Sequence, residues 1–156
     1  MPAWNPNLRS KTAIRSSDTR YYVDPSIAVA ALGVGPRDLL ADLKTFGFLF
    51  ETLCVRDLRV FADALNGSVY HYRDKDGLEC DAVIHLRNSS YGLVEIKLGG
   101  DKLIEEGATN LKILANKLDT DKMKSPSFLM VLTGTGDYAY QRNDGVYVVP
   151  VGSLRP

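Results

Sequence analysis

The sequence predicts an α/β fold in which a mixed sheet lies between helices. Three observations point there. An apolar stripe of helical period runs through Phe46, Phe50, Leu53, Leu58, Phe61 and Leu65. Three strand-like runs follow at 68–73, 78–86 and 93–98, joined by short turns rich in Asp, Asn, Ser and Gly. A second amphipathic helix over 101–119 then leads to a continuous apolar run, SFLMVLT, and a terminal hairpin. Helix, three-strand meander, helix, strand, strand is the order of an α/β sandwich.

Taken in order, residues 1–19 have no clean period and read as a solvated lead-in arm, which leaves 20–156 as the domain. The arm is locally basic, with Arg9, Lys11 and Arg15 and no acid before Asp18. Trp4 is expected to be exposed there unless it docks on the domain or on a partner chain. A short strand, RYYV, should lead into a helix with Asp24 as cap, Pro25 at its first position and Gly33 at its end. A second helix should run from Pro36 to Gly67, with Gly47 marking a break or a close contact. His71 and His85 are expected at edge or surface positions. Tyr70 and Tyr72 share a strand face, which suits either base stacking or plain β-propensity. The inner stripe of the 101–119 helix is Ile104, Ala108, Leu111, Ala115 and Leu118. Glu105 and Glu106 should face solvent in its first turn. Lys112, Lys117, Lys122 and Lys124 read as a solvated helix end, with a phosphate-contacting rim as the alternative. The hairpin turns at Asn143-Asp144-Gly145.

Length and composition narrow the classes. A chain of 156 residues with 45% apolar content suits one domain with a real core. Lys plus Arg balance Asp plus Glu at 19 each, so net charge gives no argument for a polyanion partner, although a local basic face is compatible with neutrality. Cys54 and Cys80 sit in apolar segments and read as buried thiols of a reducing compartment rather than a disulfide. The two His and two Cys form no paired metal cluster. No apolar run is long enough to span a bilayer, and the N-terminus lacks the apolar core of a signal peptide, so a cytoplasmic chain is expected. The sequon at Asn88 reads as a turn.

The charged residues inside the strands ask for an explanation. With strict alternation, Glu79, Asp81, Val83 and His85 share one face, and Cys80, Ala82, Ile84 and Leu86 the other. On the next strand Leu93, Glu95 and Lys97 oppose Val94, Ile96 and Leu98. Asp81, Glu95 and Lys97 are thus expected to converge on one side, with apolar core on the other. Glu51 precedes Cys54, Val55 and Leu58 by three, four and seven residues, so it lies on the inward stripe of its helix. Carboxylates aimed at one another repel, and a hard divalent cation, Mg²⁺ or Mn²⁺, resolves the conflict. Glu51, Asp81 and Glu95 are the candidate metal ligands. Lys97 would orient or activate a water, or stabilise developing charge on a phosphoryl group. A structural salt-bridge network of the same four residues is the competing reading. The strand–turn–strand context and the upstream Glu favour the site.

A helix Glu, then Asp81, then Glu95-x-Lys97 on the next strand, then a helix, resembles the PD-(D/E)xK nuclease superfamily, which includes Holliday-junction resolvases and RecB-type nuclease domains. More closely, PAWNPNLRS, YYVDPSIAVAALG, GFLFETLCVRDLRVFA, HYRDKDGLECDAVI and LVEIKLGGD resemble the DUF4143 domain, the C-terminal part of many prokaryotic ATPases of the AAA+ class. The resemblance covers nearly the whole chain. It implies a restriction-endonuclease-like sandwich with Glu51, Asp81, Glu95 and Lys97 as the nuclease-type site. It also implies Mg²⁺ or Mn²⁺ on the three acids, hydrolysis of DNA phosphodiesters, and an ATPase module as partner. A catalytically silent module that regulates, binds DNA or forms homo-oligomers is the alternative. The sequence departs from the pattern in two ways. ECD stands where PD is often found, and no P-loop G-x-x-x-x-G-K-[S/T] occurs, so this chain has no ATPase site of its own.

Overall fold

In the computed structural model, which describes residues 1–155, a six-stranded mixed sheet separates two helical layers. The elements are α1 (Pro25–Leu32), α2 (Pro36–Ala41), α3 (Leu43–Ala64), β1 (Gly67–Arg73), β2 (Glu79–Leu86), β3 (Tyr91–Lys97), α4 (Asp101–Lys117), β4 (Phe128–Thr133), β5 (Tyr140–Gln141), β6 (Tyr147–Pro150) and a closing 3₁₀ turn at Val151–Ser153. Pro156, the last residue of the expected domain, lies outside the described residues. The strand order is β1-β2-β3-β4-β6-β5. The meander β1-β2-β3 is antiparallel, as the short turns require, and β4 joins it parallel to β3 and to β6. The parallel step needs a crossover, and α4 supplies it.

Each face of the sheet has its own core. On one, α4 packs Ala108, Leu111, Leu114 and Leu118 against Val83, Leu93 and Val131. On the other, α3 packs Phe50, Cys54, Val55, Leu58 and Ala62 against Ala82, Val94, Ile96 and Leu132. β3 is buried on both faces from Tyr91 to Ile96, which makes any charge on it expensive.

The caps of α1 are those expected. Asp24 accepts from the Ser26 N–H, Pro25 is the first residue, and Gly33 closes the helix with φ 65°. The break in the second helical segment differs from expectation. It falls at Asp42, not Gly47, which sits inside α3. Asp42 ends α2 and caps α3, accepting from the Thr45 N–H at 3.1 Å and the Thr45 hydroxyl at 2.6 Å. The far end of α3 is turned by Asn66 at φ 55°, and Gly67 already belongs to β1. RYYV forms no strand. Tyr21 instead turns toward α3.

Two further corrections bear on the site. The first concerns alternation in β2. Tyr70 pairs with Val83, but Tyr72 pairs with Cys80, so Asp81 and Ala82 together oppose the single residue His71. This is a β-bulge, and it breaks the period of two. Cys80 and Val83 therefore share the α4-side core, while Ala82 and Ile84 face α3. The second concerns residues 1–19, which are not a free arm: most are exposed, but the segment is docked. They lie along the domain, bridging Ala3 to His71, Leu8 to Leu118 and Ile14 to Asp74. Trp4 docks on the domain at 6% exposure, its ring 5.1 Å from Tyr91 and 6.4 Å from Tyr72. The arm covers the outer edge of β1, so His71 is at an edge and yet buried.

Candidate functional site

The bulge decides where Asp81 goes. β2 and β3 are paired only from Ala82–Val94 to His85–Tyr91. Beyond that the strands part, and the Ile96 N–H has no ladder partner on β2. The Asp81 carboxylate takes that place, accepting from Ile96 N–H at 2.7 Å. On the other side of the bulge the buried Cys80 thiol contacts the carbonyls of Ala82 at 3.3 Å and Val94 at 3.4 Å. The thiol thereby meets backbone acceptors at the irregularity.

Glu95 and Lys97 share a face of β3, as expected. Glu95 is 2% exposed, and its Oε2 lies 2.8 Å from the Lys97 ammonium. Gly107 of α4 lies over the pair, where a β-carbon would stand 3.3 Å from the Glu95 Cβ and 3.5 Å from the Lys97 Cε. Glu51 stands elsewhere. It lines a cleft of about 430 Å³ together with Asp81, Glu79, Arg73, Tyr21, Tyr22, Phe48 and Arg20. Its Oε1 accepts a 2.5 Å hydrogen bond from the Tyr21 hydroxyl. The four candidate residues thus surround the point where β2 leaves β3, but not as one row on one face. Asp81 and Glu51 open into the cleft beside α3, and Glu95 with Lys97 lies under α4.

Electrostatics link the two halves. Burial raises the Asp81 carboxyl above its ordinary range, partly offset by Lys97, and Glu51 raises it further. Burial also raises Glu95, with the charge of Asp81 next in importance. For Lys97 desolvation acts downward, but Glu95 and Asp81 outweigh it and hold the amine protonated. Desolvation and the Glu51 hydrogen bond push the Tyr21 hydroxyl far up, so it remains a donor. One ammonium thus acts on two carboxyls, the buried Glu95 and the half-buried Asp81, and Glu51 lies in the cleft with Asp81.

The donor chemistry fits a hard cation. Every candidate ligand is a carboxylate, and the half-buried Asp81 has no ion-pair partner among the described residues. As the side chains are placed, no three His, Cys, Asp or Glu among the described residues are gathered closely enough to enclose a metal ion. Mg²⁺ does not need three, because it commonly binds through one or two carboxylates and keeps its waters. Glu51, held by Tyr21, shares the cleft with Asp81, and Glu95 does not line it.

The burial of one cleft residue and of one structural acid was not legible in sequence. His71, 7% exposed, opposes the bulge, and its Nδ1 lies 3.1 Å from the Met1 carbonyl. Asp74 is fully buried, accepting from Tyr72, Asp76 N–H, Leu78 N–H and Lys117 at 2.8 to 3.1 Å. Its signal was the DKDG turn, where an Asp at the first position satisfies the following backbone. The expected basic stretch is occupied. Lys112 binds Asp144, Lys117 binds Asp74, Lys122 binds Asp119 and Lys124 binds the Asn88 carbonyl. Glu105 faces solvent as expected and meets Arg142 at 2.6 Å.

Among the described residues no helix is long and apolar enough to cross a membrane. The chain matches no curated protein and no solved structure. A family model, described as a domain of unknown function, matches residues 46–154, a span that contains Glu51, the bulged strand, Glu95 and Lys97. The chain therefore belongs to the DUF4143 family.

Proposed function

We propose that this domain is a PD-(D/E)xK nuclease-like module of restriction-endonuclease-like fold that hydrolyses DNA phosphodiesters with Mg²⁺ or Mn²⁺. In this reading it acts in the cytoplasm, with an AAA+ class ATPase as partner. The observation that supports it is the charge imbalance at the β2–β3 gap, where the half-buried Asp81 and the buried Glu95 share the field of one ammonium. Such an imbalance is relieved by a proton or by a cation. Asp81 and Glu95 would hold the cation, with Glu51 as a further acid in the cleft. A bound Mg²⁺ polarises a phosphoryl oxygen and makes bound water more acidic. Lys97, 19% exposed, would orient a water or offset charge gathering on the phosphoryl oxygens. The ATPase partnership rests on the family resemblance described above.

The test is cleavage of labelled single-stranded, duplex and branched DNA in Mg²⁺ or Mn²⁺. Cutting that disappears in Lys97→Ala, with the thermal melt retained, is the expected result. Cutting that persists in Lys97→Ala contradicts the assignment.

A second reading is a catalytically silent docking or oligomerisation module. One observation favours it: Val23, Ile27, Leu32, Leu40 and Leu43, on and around α1 and α2, are all more than half exposed. Sedimentation of the purified chain and of a Leu40→Lys variant tests this reading. Self-association that the charge abolishes supports it.

A further inference from the structure

The cleft beside Asp81 contains groups that a metal site does not need. Tyr22 and Phe48 stand on its wall at 54% and 60% exposure. Arg20 lines the same wall. Arg73 is engaged by Glu79 at 2.7 Å, but Arg20 has no carboxylate partner among the described residues. Glu51, Glu79 and Asp81 line the cleft as well. Three acids, an unpaired guanidinium and two exposed aromatic rings thus line one space of about 430 Å³. That volume falls in the range of small-molecule pockets, roughly 300 to 1,000 Å³.

Each group has a counterpart in one ligand class. An aromatic ring stacks on the face of a base, and every base has such a face. In a duplex those faces are already stacked on their neighbours, so only an unpaired base can offer one. A guanidinium donates to phosphate oxygens from a planar fork of N–H groups. The acids that line the cleft would repel a phosphate, and a cation held by Asp81 and Glu95, as proposed above, would offset that repulsion. We propose that this cleft binds an unpaired nucleotide of single-stranded DNA, its base against Tyr22 and Phe48 and its phosphate toward Arg20. The inference rests on the metal-nuclease reading and narrows its substrate from DNA to single-stranded DNA.

Fluorescence anisotropy of a labelled phosphorothioate 15-mer tests it, alone and annealed to its complement, in Mg²⁺ and in EDTA. The backbone substitution slows cutting during the measurement. The whole chain is used, and the substituted side chains are exposed, so the fold tolerates their loss. In Mg²⁺ the single strand should bind at least tenfold more tightly than the duplex. Tyr22→Ala and Phe48→Ala should each weaken it about tenfold. Arg20→Ala should weaken it and flatten the log–log salt slope by about 0.7. Equal affinity for the two forms overturns the proposal. So does unchanged affinity in both aromatic variants, or self-association through these residues without strand binding. The two layers fail separately. Strand binding that needs Tyr22 and Phe48 but persists in EDTA supports the substrate class and counts against the metal reading. Mn²⁺ binding without preference for the single strand does the reverse.

Discussion

Glu95 sits at 2% exposure in the middle of the sheet with a single ammonium 2.8 Å away, and Asp81 draws on that same ammonium. Burial raises both carboxyls, so the metal-free folded protein binds protons at a pH where the unfolded chain has released them. The sign follows from proton linkage. The native state binds more protons, so stability falls as pH rises from the ordinary carboxylate range, about 4, through the raised folded values. Metal-free wild type should therefore lose thermal stability between about pH 5 and pH 8, and Glu95→Gln should flatten that slope. Melting curves across the interval in EDTA check this. An unchanged slope in Glu95→Gln would show that the proton is held elsewhere. At this scale the sequence was partly legible. The spacing of Glu95 and Lys97 put both on one strand face, and they lie there. Asp74 was read only as part of a turn, because burial of a turn residue depends on a lysine 43 positions away, Lys117.

The bulge in β2 and the first half of α4 are the elements that shape the site. Strict alternation predicts Asp81 in a row with Glu95 and Lys97, whereas the bulge turns it into the gap, where it holds Ile96 N–H at 2.7 Å. Nothing in the local pattern signals that extra residue. It is fixed by pairing across to His71, itself held by the arm through backbone bonds to Pro2 and Trp4. Gly107 has a more readable purpose once the layers are known. A side chain there would press on Glu95, Lys97 and Val131 from 3.3 to 3.5 Å. Valine branches at that contact, so Gly107→Val should destabilise the fold by about 2 kcal/mol through overpacking, despite any gain in helix propensity. Urea denaturation measures it. A stability equal to wild type would mean that α4 can shift away from β3, and that the glycine is not required for the close approach.

At the scale of the whole molecule, the layered α/β order was legible because it depends on local periods and turns. The three-strand meander, the stripe of α4 and the apolar β4 between β3 and β6 all follow from such signals. What depends on distant contact was not legible. Trp4 is buried because Tyr72 and Tyr91 receive it, and no window around Trp4 contains either. The site has both characters, with residue types visible in sequence and an arrangement set by the arm, the bulge and the Tyr21–Glu51 hydrogen bond. Its central claim is that the excess of carboxyl groups around the β2–β3 gap serves a cation. Calorimetric titration of Mn²⁺ into wild type and Asp81→Asn, in two buffers of different ionisation enthalpy, tests that claim most directly. The account predicts saturable binding to wild type with release of protons, weakened at least tenfold in Asp81→Asn. No binding to wild type, or equal binding to the variant, would contradict it.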